Sequence, residues 1–257
     1  MKKIGIIGAM ESEIELLKTY FEGGIYERAG LSVYDGKIFD KPVVFAKAGI
    51  GKVNAALCTQ VLISDFGAEF IINCGIAGAI SPKLSVLDIV ISDKAFQHDV
   101  DATYFGYKLG QIPDMPDIFW KADSGLTKRT QAAFKKLASG SFDFDKKNVF
   151  KNKETLHRDF SAGKIVTGTI ATGDVFVTAE SYRSRIKSIC KGTACVEMEG
   201  AAIAHVASAN AVPFLILRSI SDSADETVEQ LTYEEFAARA EDMAASIILQ
   251  VLYDFEQ

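Results

Sequence analysis

Three groups of acidic side chains, each set among small residues, carry the chemistry available to this sequence. Glu13 closes the run Gly8-Ala9-Met10-Glu11-Ser12-Glu13, Glu197 and Glu199 sit in Val196-Glu197-Met198-Glu199-Gly200, and Asp222 follows Arg218-Ser219-Ile220-Ser221. Each group stands at the end of an expected strand, where open α/β sheets keep their reactive groups. Taken singly, Glu13 and Glu199 read as first-turn helix carboxylates favoured by the helix dipole. Asp222 reads as a turn or N-cap residue. Taken together they allow a division of labour. One carboxyl group protonates a leaving group, a second takes a proton from water, and a third stabilises a developing cation. The carboxylate pair of glycoside hydrolases works by the same logic.

The elements that must position these groups follow from hydrophobic patterning. Short apolar runs alternate with longer amphipathic stretches, the pattern of a sheet covered by helices. Strands are expected at 3–8, 31–39, 42–48, 69–75, 86–91, 164–171, 194–197 and 213–219, and helices at 11–21, 52–65, 123–138, 199–210 and 232–253. Asp40-Lys41-Pro42 makes a hairpin connection, and Gly49-Ile50-Gly51 turns the chain into the second helix. No repeat and no Pro-, Gly- or Ser-rich linker divides the chain, so residues 1–257 read as one domain. The polar segment 139–162, with Ser139-Gly140-Ser141 and Lys151-Asn152-Lys153-Glu154, reads as a surface insertion.

Composition narrows the function. The chain has 257 residues, 48% of them hydrophobic and 24% charged, and a net charge of −6. That balance suits a soluble domain and gives no excess of cations for nucleic-acid phosphates. Cys58, Cys74, Cys190 and Cys195 form no C-x-x-C pair and read as reduced thiols. The apolar start Ile4-Gly5-Ile6-Ile7 is cut short by Glu11, Glu13 and Glu15, so no signal peptide is expected, and no stretch has the length of a membrane span. A cytoplasmic protein is expected.

Other motifs fail on spacing. Gly5-Ile6-Ile7-Gly8 lacks the third glycine of a dinucleotide fingerprint. Gly51-Lys52 has Ala46 in place of the first P-loop glycine and Val53 in place of the magnesium-binding hydroxyl. His98-Asp99-Val100-Asp101 has two other histidines in the whole chain to draw on, His157 and His205, and no metal-ligand spacing. No G-x-S-x-G is present for a serine hydrolase. Neither a cofactor nor a metal is expected.

The three acidic motifs together resemble those of the 5′-methylthioadenosine/S-adenosylhomocysteine nucleosidases, over nearly the whole chain apart from 139–162. The resemblance implies a nucleoside phosphorylase-like fold, a three-layer α/β/α sandwich around a mixed, twisted sheet. It also implies hydrolysis of a bond between adenine and ribose, within methionine salvage. Such a bond breaks through a ribosyl cation, with adenine protonated at N7 as it leaves. By this likeness Asp222 is the general acid, supported by Ser221, and should carry a raised pKa. Glu13 is the base for water, Glu199 binds the ribose hydroxyls, and Arg218 positions water and sugar. Phe176, the Val177 backbone, Ala77 and Gly78 surround adenine. Met198 lines the sugar, Met10 and Ile50 the 5′-thio end, and Glu197, Ala224 and Tyr233 complete the lining. The segment 99–113 would place Phe105 and Pro113 in a neighbour's site, which implies a homodimer.

Two residues depart from the resemblance: Ile76 stands where some relatives carry a small polar residue, and Tyr233 where a Phe is common. Three rivals remain. A nucleoside phosphorylase would need arginines for phosphate, yet Arg28 is the only arginine before Arg129. A 6-amino-6-deoxyfutalosine hydrolase differs only in the 5′ substituent. A silent nucleoside-binding protein would have no use for both an acid and a base.

Overall fold

A computed structural model describes residues 2–146, 148–223 and 230–255, with side chains at all of these except 223 and 230–233. In chain order the elements are β1 (Ile4–Gly8), α1 (Glu11–Thr19), β2 (Phe21–Arg28), β3 (Leu31–Ile38), β4 (Lys41–Lys47), α2 (Lys52–Ser64), β5 (Phe70–Ala79) and β6 (Ile89–Gln97). Then follow β7 (Trp120–Lys121), α3 (Ser124–Ala138), α4 (Lys153–Ala162), β8 (Ile165–Thr172) and α5 (Glu180–Ile189). The chain closes with β9 (Thr193–Glu197), α6 (Gly200–Ala209), β10 (Phe214–Ser223) and α7 (Gln230–Tyr253).

The sheet is mixed, in the order β10-β6-β8-β9-β5-β1-β4-β3-β2. β1 runs parallel to β4 and β5, and β5 runs parallel to β10. β6 is antiparallel to β10, and β9 to β5. Because β10 pairs with both β5 and β6, strands β5, β10, β6, β8 and β9 close into a ring. From this ring β1, β4, β3 and β2 extend as an open wing.

Side-chain alternation decides which core each strand serves. Ile4 and Ile6 of β1, with Ile72 and Cys74 of β5, face Leu17 of α1, Phe134 of α3, Phe160 of α4 and Ile247 of α7. Ile7 and Ile71 point the other way, onto Ala55, Cys58 and Leu62 of α2 and Ile203 of α6. Helices therefore cover both faces, and β1 is buried along its whole length, as strands covered on both sides are. A smaller core joins Phe96, Ala171, Val177 and Val196 to Ile186 of α5.

β7 and α5 have no counterpart among the expected elements, and two further segments differ from expectation. The first helix stops at Thr19, and β2 follows it, paired with β3 from Phe21↔Ile38 to Arg28↔Leu31. β2 is a mostly exposed edge strand, so its glycines and charges need not alternate with apolar residues. The segment 139–162 is a packing element as well as a surface one. It contains α4, and Phe144, Phe150, Leu156 and Phe160 are buried in the main core. Its lysines hid an apolar set that is sparse but directed inward. Among the described residues no helix is long and apolar enough to cross a membrane.

Candidate active site

A pocket opens where the carboxyl ends of β1, β5, β9 and β10 meet. Its lining includes Met10, Glu13, Ile50, Ala77, Gly78, Phe176, Val177, Glu197, Met198, Glu199, Ser221 and Asp222. Most of the expected lining is thus gathered from six separate stretches of chain. Phe105 and Pro113 lie outside this pocket and are exposed in the single chain. Ala224 and the side chain of Tyr233 lie outside the described residues.

Glu13 is both a helix-start residue and a pocket residue. From the third position of α1 its Oε2 reaches back to accept hydrogen bonds from the N–H groups of Ala9 (2.5 Å) and Met10 (3.1 Å). This is the returning arm of a capping box. Its Oε1 accepts from the Ile76 N–H at 3.3 Å. A side chain at Gly75 would displace this carboxylate, so glycine there leaves it room. Burial pushes the Glu13 pKa up, against the opposing pull of the Arg218 charge and the three backbone donors.

Behind the pocket Arg218 of β10 is fully buried. It donates to the Asn73 Oδ1 at 2.5 Å, to the Leu217 carbonyl at 3.1 Å and to the Glu197 carboxylate. Asn73 is fixed in turn by donating to the Ile7 carbonyl at 2.9 Å. Burial alone would discourage the guanidinium charge, but Glu197, Glu13 and Glu199 together hold its pKa above the ordinary value.

Glu197 was expected to contact substrate. Both of its oxygens are instead spent on the protein. Oε1 accepts from the Thr172 hydroxyl, while Oε2 accepts from Arg218 and from the N–H groups of Glu199 (3.0 Å) and Gly200 (2.7 Å). It satisfies the start of α6 and neutralises Arg218.

Glu199 keeps one oxygen free of short protein contacts. Oε1 accepts from the Gly51 N–H at 2.8 Å, and Oε2 stands 3.9 Å from the Arg218 Nη2. Burial and the neighbouring Glu197 charge push its pKa up to about 7, with Arg218 and the Gly51 N–H pulling the other way. Gly51 has φ +98° and Gly49 φ +86°, and these left-handed positions let the turn aim its N–H at Glu199.

Asp222 owes its direction to a β-bulge. The β10–β5 register passes from Ile220↔Ala77 to Asp222↔Gly78, so Ser221 is an extra residue on β10. A bulge re-aims the side chain beyond it. The Ser221 hydroxyl then donates to the Asp222 Oδ2 at 2.8 Å.

Several participants were not singled out in the sequence. Thr172 donates to Glu197 and accepts the Ala201 N–H at 2.8 Å, and Asn73 holds Arg218. Asn73 left a signal, an amide inside the apolar run Ile71-Ile72-Asn73-Cys74. Among the described residues no group of three or more His, Cys, Asp or Glu side chains is arranged to hold a metal ion.

The likeness of this arrangement to known proteins runs through the whole chain. The model of the phosphorylase superfamily matches residues 3–253. A 5′-methylthioadenosine/S-adenosylhomocysteine nucleosidase of Treponema pallidum (strain Nichols) is 41% identical over 250 residues, covering 97% of this chain and 92% of that protein. The nucleosidase of that name from Colwellia psychrerythraea 34H, solved in complex with adenine, superposes with a TM-score of 0.83 at 35% identity, over 98% of this chain and 94% of the other. A futalosine hydrolase of Helicobacter pylori strain 26695 superposes with a TM-score of 0.81 at 29% identity, over 99% and 98%. Fold, pocket and relatives agree: the chain belongs to the 5′-methylthioadenosine/S-adenosylhomocysteine nucleosidase family of the phosphorylase superfamily.

Proposed function

We propose that this protein hydrolyses the N-glycosidic bond of 5′-methylthioadenosine and S-adenosylhomocysteine, giving adenine and the corresponding 5-thioribose. The observation that carries this reading is the convergence of Glu13, Glu199 and Asp222 on one pocket, each held by a different neighbour. Asp222 protonates adenine at N7, with Ser221 fixing the carboxyl group. The Glu199 oxygen that faces no backbone donor takes the ribose hydroxyls and faces the growing cation. Glu13 removes the proton from water as it attacks the anomeric carbon. Its raised pKa makes it a stronger base than an exposed carboxylate.

The same groups disfavour phosphate as the nucleophile. The described pocket lining contains no Arg or Lys, and Arg218 is committed to Glu197 and Asn73. A phosphate would meet four acidic side chains and no cation among the described lining.

The 5′ end is open in the single chain. Ile50 is 53% exposed and Phe176 63%, and Tyr104 and Phe105 stand out at 93% and 76%. Exposed apolar groups at the pocket, in Ile50 and Phe176, and on the 99–113 segment, in Tyr104 and Phe105, suit a second copy. We therefore assign a homodimer in which the 99–113 segment, with Phe105 and Pro113, completes the neighbour's 5′ pocket. Four unpaired cysteines suit a reducing compartment, so the cytoplasm is the assigned location. The structural likeness to a futalosine hydrolase supports a second reading, because that open 5′ end is where the two substrates differ.

The test is adenine release from 5′-methylthioadenosine with and without phosphate, with the sugar product identified. Adenine and free 5-methylthioribose, unaffected by phosphate, are expected. A phosphate requirement and a sugar 1-phosphate product would make the protein a phosphorylase. Turnover of 6-amino-6-deoxyfutalosine alone would select the second reading. Binding without turnover of either would leave a nucleoside-binding protein.

A further inference from the structure

Two stretches that matched no cofactor motif, Gly49-Ile50-Gly51-Lys52 and His98-Asp99-Val100-Asp101, meet at the rim of the pocket. There Lys52, Asp99 and Asp174 form a closed circuit. The Lys52 Nζ donates to the Asp99 Oδ1 at 2.7 Å and to the Gln97 Oε1 at 3.2 Å. The other Asp99 oxygen accepts from the Asp174 N–H at 2.9 Å. The Asp174 Oδ1 accepts from the Lys52 N–H at 2.8 Å and returns the circuit to its start. Lys52 and Asp99 are largely covered, with side chains 17% and 21% exposed. The two hydrogen bonds Asp99 accepts hold its carboxyl below the usual range, overcoming the upward push of burial.

Each member belongs to a different part of the site. Lys52 follows Gly51, whose N–H holds Glu199. Asp174 stands two residues before Phe176 and three before Val177. Asp99 opens the 99–113 segment, whose root is also gripped by Arg185, through its Nε to the His98 carbonyl at 3.0 Å. The packing leaves no slack. A side chain at Gly51 would press on the Asp174 carboxylate, and one at Gly173 would collide with the buried His98 ring.

We propose that Lys52, Asp99 and Asp174 are positioning residues that fix the sugar-side turn and the base-side loop at one separation, so that the pocket is formed before the nucleoside arrives. This rests on the reading of the pocket as the nucleoside site. The circuit touches neither Glu13 nor Asp222 among its hydrogen bonds. Its loss therefore acts on binding, because ordering the loops is then charged against affinity.

The roles of the oxygens differ, and this gives the test a signature. Asp99 uses both oxygens as hydrogen-bond acceptors, whereas Asp174 accepts a hydrogen bond through Oδ1 alone, which an amide oxygen also supplies. The Asp174 Oδ2 stands 4.0 Å from the Lys52 Nζ on a half-exposed side chain, where a charge pair contributes little. Steady-state kinetics and adenine titrations are to be run on Lys52→Met, Asp99→Asn, Asp174→Ala and Asp174→Asn, with thermal unfolding as a check on folding. The first three are expected to raise KM and the adenine Kd about tenfold or more, as the removal of charge-assisted hydrogen bonds does. Their kcat should stay within about threefold of the parent, the mark of weakened ground-state binding. Asp174→Asn should stay close to the parent in both. The double variant Lys52→Met/Asp99→Asn should be no worse than the poorer single, since residues of one circuit are not additive.

Unchanged KM in Lys52→Met and Asp99→Asn, additive losses, or a fall confined to kcat would each overturn the proposal. So would equal losses in Asp174→Asn and Asp174→Ala, which would mark a general charge effect. Where a variant does not fold, Asp174→Asn against the parent and Asp99→Asn still decides. Failure of the parent itself to bind adenine would instead remove the nucleoside reading of the pocket, and the clasp with it.

Discussion

The floor and the rim of the pocket are built on opposite terms. On the floor, Glu13, Glu197, Glu199 and Arg218 are all buried, and nearly every oxygen has a named donor within the chain. At the rim, Ile50 and Phe176 present apolar surface to solvent. The floor is built within one chain. The rim is left open in the single chain. On the proposed function, the difference separates two tasks: bond breaking would be fixed by the fold, while choice of the 5′ substituent would be left to an added surface.

If that division holds, changes on the floor act on kcat and stability at any protein concentration. Glu13→Gln and Asp222→Asn are expected to lower kcat by about 10³-fold or more while adenine still binds, since each removes a proton-transfer step. Single-turnover kinetics with a parallel adenine titration checks this. Retained turnover in either variant would return the carboxylates to helix-start and turn roles.

Next in size is Arg218→Met. It leaves Glu197 without its buried partner and Glu13 and Glu199 without a nearby positive charge. Breaking a buried pair in this way costs about 3–5 kcal/mol. Urea unfolding should show a loss of that size. A loss below about 1 kcal/mol would mean that the pair contributes no more than an exposed one.

A third effect follows from the Glu199 carboxyl, pushed up to about 7. A carboxyl group with a raised folded-state pKa favours the folded chain while protonated. Its contribution is fully present below the unfolded value of about 4.5 and is lost as pH rises through about 7. Burial also raises Glu13 and Glu241, which add slope of the same sign. Unfolding free energy of the substrate-free protein should thus fall across this window. Glu199→Gln should flatten the fall and gain up to about 3 kcal/mol at pH 8. An unchanged slope would show that the Gly51 N–H and Arg218 already hold Glu199 ionised.

The smallest effect belongs to the rim. Phe105→Ala should raise KM for 5′-methylthioadenosine about tenfold with little change in kcat, as expected when one apolar side chain is removed from a binding pocket. The parent should show a matching KM rise on dilution below its dimer dissociation constant. A loss in kcat alone, or no response to dilution, would break the contrast between floor and rim.

The sequence was most legible where one local rule decides the outcome. The apolar run at 3–8 does form a strand, β1, and the glycines at 49 and 51 do make the turn into α2. The three carboxylates were readable because each stands beside small residues at a strand end. Their partners were harder to see. Arg218 reaches Asn73 from 145 positions away, and Lys52 reaches Asp99 from 47. No local pattern encodes such pairs, because the sheet order brings them together. Glu197 shows the limit in another way. Residue type marks a carboxylate as able to bind a sugar, but only the fold reveals that its oxygens are already occupied.

The bulge at Ser221 gives β10 a property that residue identity does not capture. Side chains along a strand alternate between faces, so one extra residue reverses the parity of everything beyond it. Asp222 reaches the pocket because an odd residue was inserted before it, not only because the codon there specifies aspartate. A one-residue deletion in this stretch would keep the strand and its acid and turn that acid toward the opposite face. Strand ends are ordinarily lenient toward length change; here length is part of the active-site inheritance, and lineages that drift by one residue in it would keep a recognisable motif without its chemistry.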